Sequence, residues 1–176
     1  YENILIVNKP KGLLCQPDQN HKGNTLSDYI KSYLYEKGVF DPECENSFSP
    51  ALSNRLDANT SGLVLAGKNA ESTRILNQKL RDRQIRRFYV CRVENLPEKD
   101  SGVITKKLLK DTKTNTVAIS KDGVSAETHY RILDRENKIL ELEIITGRSH
   151  QIRVHLKSIG CPIVGDKKYG SKGSGQ

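Results

Sequence analysis

The sequence predicts an α+β domain in which a mixed, mostly antiparallel central sheet carries helices and loops on its flanks. Three observations lead there. Apolar side chains recur at helical spacing between Thr25 and Lys37. They alternate at strand spacing between Ile139 and Ile145. The elements run strand, helix, strand, helix, several strands, helix. At 176 residues, 35% hydrophobic and 28% charged, the chain is long enough for one domain with a real core.

Ile4 to Asn8 reads as a short buried strand, broken by the turn Lys9-Pro10-Lys11-Gly12, because proline fixes φ and glycine admits positive φ. Thr25 to Lys37 follows as a helix with Leu26, Tyr29, Ile30, Tyr33 and Leu34 on one face. Thr25 is its cap, Asp28 lies in its first turn and Gly38 ends it. Residues 38–50 are punctuated by Gly38, Pro42, Asn46 and Pro50 and read as loop. Gly62 to Gly67 reads as a strand. Ala70 to Arg81 reads as a helix capped by Asn69, with Ile75, Leu76 and Leu80 turned inward.

Phe88 to Val93 alternates as a strand, and Val103 to Asp134 reads as short strands joined by polar turns. Ile139 to Ile145 places Leu140, Leu142 and Ile144 on one face. His150 to Ile159 is a helix with Ile152, Leu156 and Ile159 in a stripe, stopped by Gly160. One domain over 1–170 and a flexible tail over 171–176 are expected, with no internal repeat.

Composition narrows the functional classes. No apolar run reaches the roughly eighteen residues a membrane span requires, and no charged-then-apolar leader opens the chain, so a cytoplasmic protein is expected. The chain starts at Tyr1 and holds no Met, which leads us to expect that an N-terminal part is missing. Cys15, Cys44, Cys91 and Cys161 form no C-x-x-C pair and read as free thiols. The net charge of +8 favours a polyanionic partner. Its distribution says more: Lys79, Arg81, Arg83, Arg86, Arg87 and Arg92 crowd around a lone Asp82, and Arg148, Arg153, Lys157, Lys167, Lys168 and Lys172 around Asp166. Such clusters can neutralise phosphates and release counterions, although each taken alone is equally a solvated face.

The stretch Asn54-Arg55-Leu56-Asp57-Ala58-Asn59-Thr60-Ser61-Gly62 is a polar loop directly before a buried strand, a rigid support on which reactive groups are often placed. Its composition also suits a plain turn. The string Arg55-Leu56-Asp57-x-x-Thr60-Ser61-Gly62 resembles the H-R-L-D-x-x-T-S-G motif of RluA-type pseudouridine synthases, with Asn54 in place of the leading His. Three further stretches resemble that family in the same order. Lys9-Pro10-Lys11-Gly12 is similar to its K-P-x-G motif. Arg87-Phe88-Tyr89 is similar to its K-x-Y motif. Gly147-Arg148-Ser149-His150-Gln151-Ile152-Arg153-Val154-His155-Leu156 is similar to its G-R-T-H-Q-I-R-x-H-L motif, and Gly165-Asp166 and Tyr169-Gly170 follow as in the family.

The resemblance spans Ile4 to Gly170 and implies the pseudouridine synthase fold and an isomerase that flips a uridine out of RNA and returns it as pseudouridine. It implies Asp57, Tyr89 and Arg153 as catalytic residues. It implies Arg55, Thr60, Arg87, Arg148, His150, Gln151 and Ile152 as substrate-binding residues. The partner it implies is RNA, ribosomal first and transfer RNA second, handled by a monomer with no cofactor, no metal and no membrane.

The chemistry agrees with these residue types. The isomerisation gains and loses no atom. A single carboxylate can attack the sugar or the base, or remove a ribose proton, and the residues leave that choice open. A carboxylate shielded from water protonates unless a cation holds it charged, the role implied for Arg153. Tyr89 could stack on the extruded base, Ile152 could pack against it, and Arg55 could contact phosphate or fill the vacated stack. The alternative is a non-catalytic RNA-binding or ribosome-assembly module on the same fold. Family members commonly continue past Tyr-Gly and often carry an S4-type RNA-binding domain, so both ends of a whole protein are expected to lie outside this sequence.

Overall fold

The computed structural model describes residues 2–18, 23–43 and 48–170; the expected tail, Cys44 and Asn46 lie outside these. The chain divides into two compact units, Tyr1–Ile85 and Arg86–Gln176. Among the described residues, no helix is long and apolar enough to cross a membrane.

In the first unit, β1 (Ile4–Lys9) and β2 (Gly62–Gly67) pair antiparallel from Ile4 opposite Gly67 to Lys9 opposite Gly62. Helix α1 (Leu26–Glu36) packs the stripe Leu26, Ile30 and Leu34 against Val64, Ala66 and Cys15. The two tyrosines on the same face are not buried. Tyr29 and Tyr33 are 54% and 44% exposed, because the covered arc is only wide enough for the i, i+4, i+8 row. Thr25 caps in an inverted sense: its N–H and its hydroxyl both donate to Asp28 Oδ2, at 2.9 and 2.7 Å. Those two bonds hold the Asp28 carboxyl below the usual carboxylate range. In α2 (Ala70–Arg81), Asn69 caps as expected by accepting from Ser72 N at 2.8 Å. Ser72 and Leu76 are its buried residues, whereas Ile75, expected inside, is 44% exposed.

The second unit is built on a five-stranded sheet of order β3-β7-β6-β4-β5, with every pairing antiparallel. Its strands are β3 (Phe88–Arg92), β4 (Ser101–Asp111), β5 (Thr116–Ile119), β6 (Val124–Asp134) and β7 (Ile139–Ile144). The expected α+β arrangement with mostly antiparallel pairing is found, and among the described residues it takes the form of an antiparallel sheet in each unit. The stretch read as short strands contains two of eleven residues each. Lys106 and Lys107 in β4 interrupt the apolar alternation while its ladder to β6 continues, and Lys110 does so along the ladder to β5, so the pattern hides the strand's true length. Helix α3 (Gln151–Ser158) buries Val154, His155 and Leu156. Leu140, Leu142, Ile104, Val93, Leu156 and Cys161 form the core, with Tyr89 and Ile152 packed on it half-buried.

Candidate active site

The Asp57 loop is anchored to its own unit at four points. Residue Leu52 bridges to Ala66, and Ser53 N–H donates to Leu65 O at 2.7 Å, so the approach to the loop lies along β2. Asn54 continues the pairing with its side chain: Oδ1 accepts Leu65 N–H at 2.7 Å and Nδ2 donates to Leu63 O at 3.2 Å. The residue that departs from the family motif therefore acts as a strand partner. Leu56 N–H donates to the Cys15 thiol sulfur at 3.3 Å. Asp57 then opens a tight turn, closed by Thr60 N–H donating to Asp57 O at 3.0 Å.

The fourth anchor is Lys9, which is fully buried. Its ammonium donates to the carbonyls of Pro10 (3.0 Å), Leu13 (2.7 Å) and Ala58 (3.1 Å), and Gly12 N–H reaches the same Ala58 carbonyl at 2.8 Å. Three carbonyls match the three donors of an ammonium, which is how a buried cation is tolerated. Burial lowers the pKa of Lys9, while Cys15 and Asp57 pull it back up. Gly12 stands at φ +94°, a conformation that glycine alone adopts without strain, and so lets the Lys9-Pro10 turn fold onto the loop. The sequence marked Lys9 as part of a motif but not as a clamp; the signal was a lysine ending an apolar strand directly before Pro and a turn glycine.

Asp57 and Thr60 are half-buried and Arg55 is exposed, its Nη1 donating to Gln16 Oε1 at 3.2 Å. In the second unit, Tyr89 sits on the inner side of β3, opposite Leu142, and both it and Ile152 lie on the core. Arg87 is half-buried; its Nε is enclosed and has no hydrogen-bond partner among the described residues. A Cβ on Gly147 would press on the Arg87 guanidinium at 3.0 Å, so this glycine makes room for it. Arg148 is exposed, with its Nε 3.3 Å from Ser125 O.

His150 adopts a left-handed conformation (φ +51°) at the entrance to α3, and its Nδ1 lies 2.7 Å from the Tyr169 hydroxyl. Gln151 is 3% exposed and its amide is saturated. Nε2 donates to Glu127 O and Thr128 Oγ1, both at 2.9 Å; Oε1 accepts from Thr146 Oγ1 at 2.8 Å and Arg148 N at 3.0 Å. These four bonds use up both amide hydrogens and both carbonyl lone pairs. The expected substrate contact by the Gln151 side chain is therefore corrected: it braces the loop before α3. His155, fully buried, shares Thr128 with it, Nδ1 lying 2.9 Å from Thr128 Oγ1. Burial pushes the His155 pKa down to about 4, with Lys106 adding to the effect.

Arg153 makes a two-point contact with Asp166. Its Nε and Nη2 donate to the two oxygens of Asp166, each at 2.7 Å, and its guanidinium carbon lies 4.8 Å from the centre of the Tyr169 ring. Burial raises the Asp166 pKa, but the Arg153 hydrogen bond, the Tyr169 N–H, the Arg153 charge and the Lys168 N–H outweigh it and hold it low. Within the basic cluster, Arg86 forks onto Glu143 at 2.7 and 2.8 Å and lies over Phe88. Burial raises the pKa of the Cys91 thiol to about 11 and also raises that of Cys161, which keeps both thiols protonated.

The α+β arrangement is that of solved pseudouridylate synthases: a human RNA Pseudouridylate Synthase Domain Containing 4 structure superimposes with a TM-score of 0.77 at 24% identity, over 98% of this chain and 68% of the other. The chain belongs to the RNA pseudouridylate synthase family, whose sequence profile matches residues 3–158, and its relatives are of the RluA type. The "Uncharacterized RNA pseudouridine synthase YlyB" of Bacillus subtilis (strain 168) is 32% identical over 97% of this chain and 56% of its own length. The "Ribosomal large subunit pseudouridine synthase D" of Borreliella burgdorferi is 33% identical over 96% of this chain and 52% of its own length. The chain thus spans about half the length of the curated relatives it matches.

Proposed function

We propose that this protein isomerises uridine to pseudouridine in RNA, with Asp57 as the catalytic carboxylate. The observation that carries the reading is the Asp57 turn. Its acid stands on a loop pinned at Ala58 by a buried ammonium and a glycine N–H, within a chain whose family converts uridine in RNA. Such anchoring suits a group that must be held ready before its substrate arrives.

In the reaction the C1′–N1 bond of the nucleotide breaks and a C1′–C5 bond forms. The C5 proton leaves and N1 takes one up, so the composition is unchanged. Asp57 serves as nucleophile toward sugar or base, or as base toward a ribose proton. Arg153 is the cation proposed to keep the acid ionised. Tyr89 stacks on the extruded uracil, and Ile152 lines the pocket beside it. Arg55, Thr60, Arg87, Arg148 and His150 hold the RNA strand around the flipped nucleotide.

Ribosomal RNA is the first substrate class, supported by the name of the Borreliella burgdorferi relative, and transfer RNA the second. A monomer acting in the cytoplasm completes the reading, supported by the free thiols of Cys15, Cys91 and Cys161.

The test is incubation of the full-length protein with ribosomal and transfer RNA from cells lacking it, followed by pseudouridine mapping. Wild type forms pseudouridine at discrete positions, and Asp57→Ala forms none while its melting temperature and RNA affinity stay close to wild type. Product at the wild-type rate from Asp57→Ala removes the assignment.

A further inference from the structure

The geometry around α3 assigns a role to a residue outside the expected site: we infer that Asp166 is a positioning residue for Arg153, forming with Tyr169 a cradle that aims the guanidinium. The inference rests on, and deepens, the reading of the chain as a pseudouridine synthase.

An arginine side chain carries large rotamer entropy, so a catalytic guanidinium has to be immobilised by something other than its backbone. Asp166 and Tyr169 are the immobilising groups. The Asp166 carboxylate is 6% exposed and meets Nε and Nη2 of Arg153 in a two-point fork, which fixes the plane of the group as well as its position. The fork engages two of five N–H donors and so does not exhaust the guanidinium.

The clamp is itself clamped. Asp166 Oδ1 also accepts from Lys168 N at 3.0 Å and Tyr169 N at 3.1 Å. Gly170 N donates to Asp166 O at 2.6 Å, in a turn so tight that any side chain at 170 would strike that carbonyl. The turn lays the Tyr169 ring against the guanidinium, a cation–π contact at 4.8 Å. The phenol is then anchored at its far end: its oxygen accepts Val117 N–H at 2.8 Å and lies 2.7 Å from His150 Nδ1. Arg153 is thereby referenced to β5 and to the entrance of its own helix through one aromatic ring.

A plain structural ion pair would share the distances but not the consequence for turnover. Asp166→Asn separates the two, because an asparagine Oδ1 still accepts from Lys168 N and Tyr169 N while its Nδ2–H₂ opposes Arg153 Nε–H. With the full-length protein and an RNA carrying a mapped target uridine, Asp166→Asn is expected to lower kcat about 30-fold, with KM for RNA within about twofold and an unchanged melting temperature. In an Arg153→Lys background, which cannot make the fork, the same substitution is expected to cost less than about threefold more. Tyr169→Phe, which keeps the ring and loses its anchors, is expected to lower kcat about threefold.

Wild-type kcat in both single variants overturns the inference. So does a loss confined to KM, or an equal loss in both backgrounds, the mark of a role unconnected with Arg153. If the unsubstituted protein forms no pseudouridine in any RNA tested, the parent reading fails and this one falls with it. Turnover by wild type with no effect at Asp166 or Tyr169 sinks this inference alone.

Discussion

The two units hold their key charged groups by different means. In the first, main chain is held at several points around the Asp57 loop: Lys9 and Gly12 meet the Ala58 carbonyl, Cys15 meets the Leu56 N–H, and Asn54 meets the Leu63 carbonyl and the Leu65 N–H of β2. In the second, Arg153 is gripped at its tip, by a carboxylate and an aromatic ring. Side-chain length accounts for the difference. An aspartate has little conformational freedom, so placing its backbone nearly places its carboxylate. An arginine on a well-formed helix still has a long flexible stem, and only contacts at the guanidinium can fix it.

The largest test of this contrast is Lys9→Met. The substitution keeps the buried volume but leaves the carbonyls of Pro10, Leu13 and Ala58 without their shared donor, a loss of about 3 kcal/mol at a typical cost for unsatisfied buried groups. Urea unfolding should show the midpoint fall, and pseudouridine formation should fall with it. A midpoint near wild type would mean that the loop is held without the Lys9 clamp, by its other anchors.

The second unit offers a test by pH. His155 titrates near 4 when folded, against 6.5 as a free side chain, so the unfolded chain binds the extra proton first as pH falls. Stability should be flat above about 6.5 and decline between about 6.5 and 4, by at most about 3 kcal/mol. His155→Asn keeps a partner for Thr128 and removes the titration. The difference between the two pH profiles of stability isolates the term, and identical slopes would reject it.

Asn54→Ala is the smallest of the three. It removes two hydrogen bonds at the edge of β2, about 1–2 kcal/mol, without touching the Lys9 clamp. Thermal melting should register that loss while the Asp57-dependent rate stays within a few-fold of wild type. A rate loss as large as that of Lys9→Met would show that the strand-like tether, and not the ammonium, sets the loop.

The same division explains what could be read from the linear chain. Helices α1 and α2 were legible because their caps and apolar rows are local in sequence, and the Asp57, Tyr89 and Arg153 motifs stood out as strings. Ile75, expected inside, is exposed, and Tyr29 and Tyr33 share a face with buried residues without being buried themselves, because periodicity indicates a face without saying how much of it a neighbour covers. The length of β4 is hidden because Lys106 stands between the buried Ile104 and Leu108 on one face while the apolar Val103 and Leu109 are exposed on the other, so no unbroken alternation marks it. Lys9 and Asp166 were visible as letters but not as clamps, since their partners, Ala58 and Arg153, lie 49 and 13 residues away along the chain. Gln151, read as a substrate contact, is enclosed by bonds to Glu127, Thr128 and Thr146, which only the folded sheet brings to it.

Strand β3 has a free edge in the sheet order, yet its far end is not left open. Val93 bridges to Ile163, Glu94 N–H reaches Pro162 O, and Val164 N–H reaches Arg92 O. The segment running into the Asp166 turn is thereby stitched to the strand that bears Tyr89. Phenol and guanidinium share a single mechanical frame, so a displacement of the strand would carry the arginine's mooring along with it instead of pulling the two groups apart.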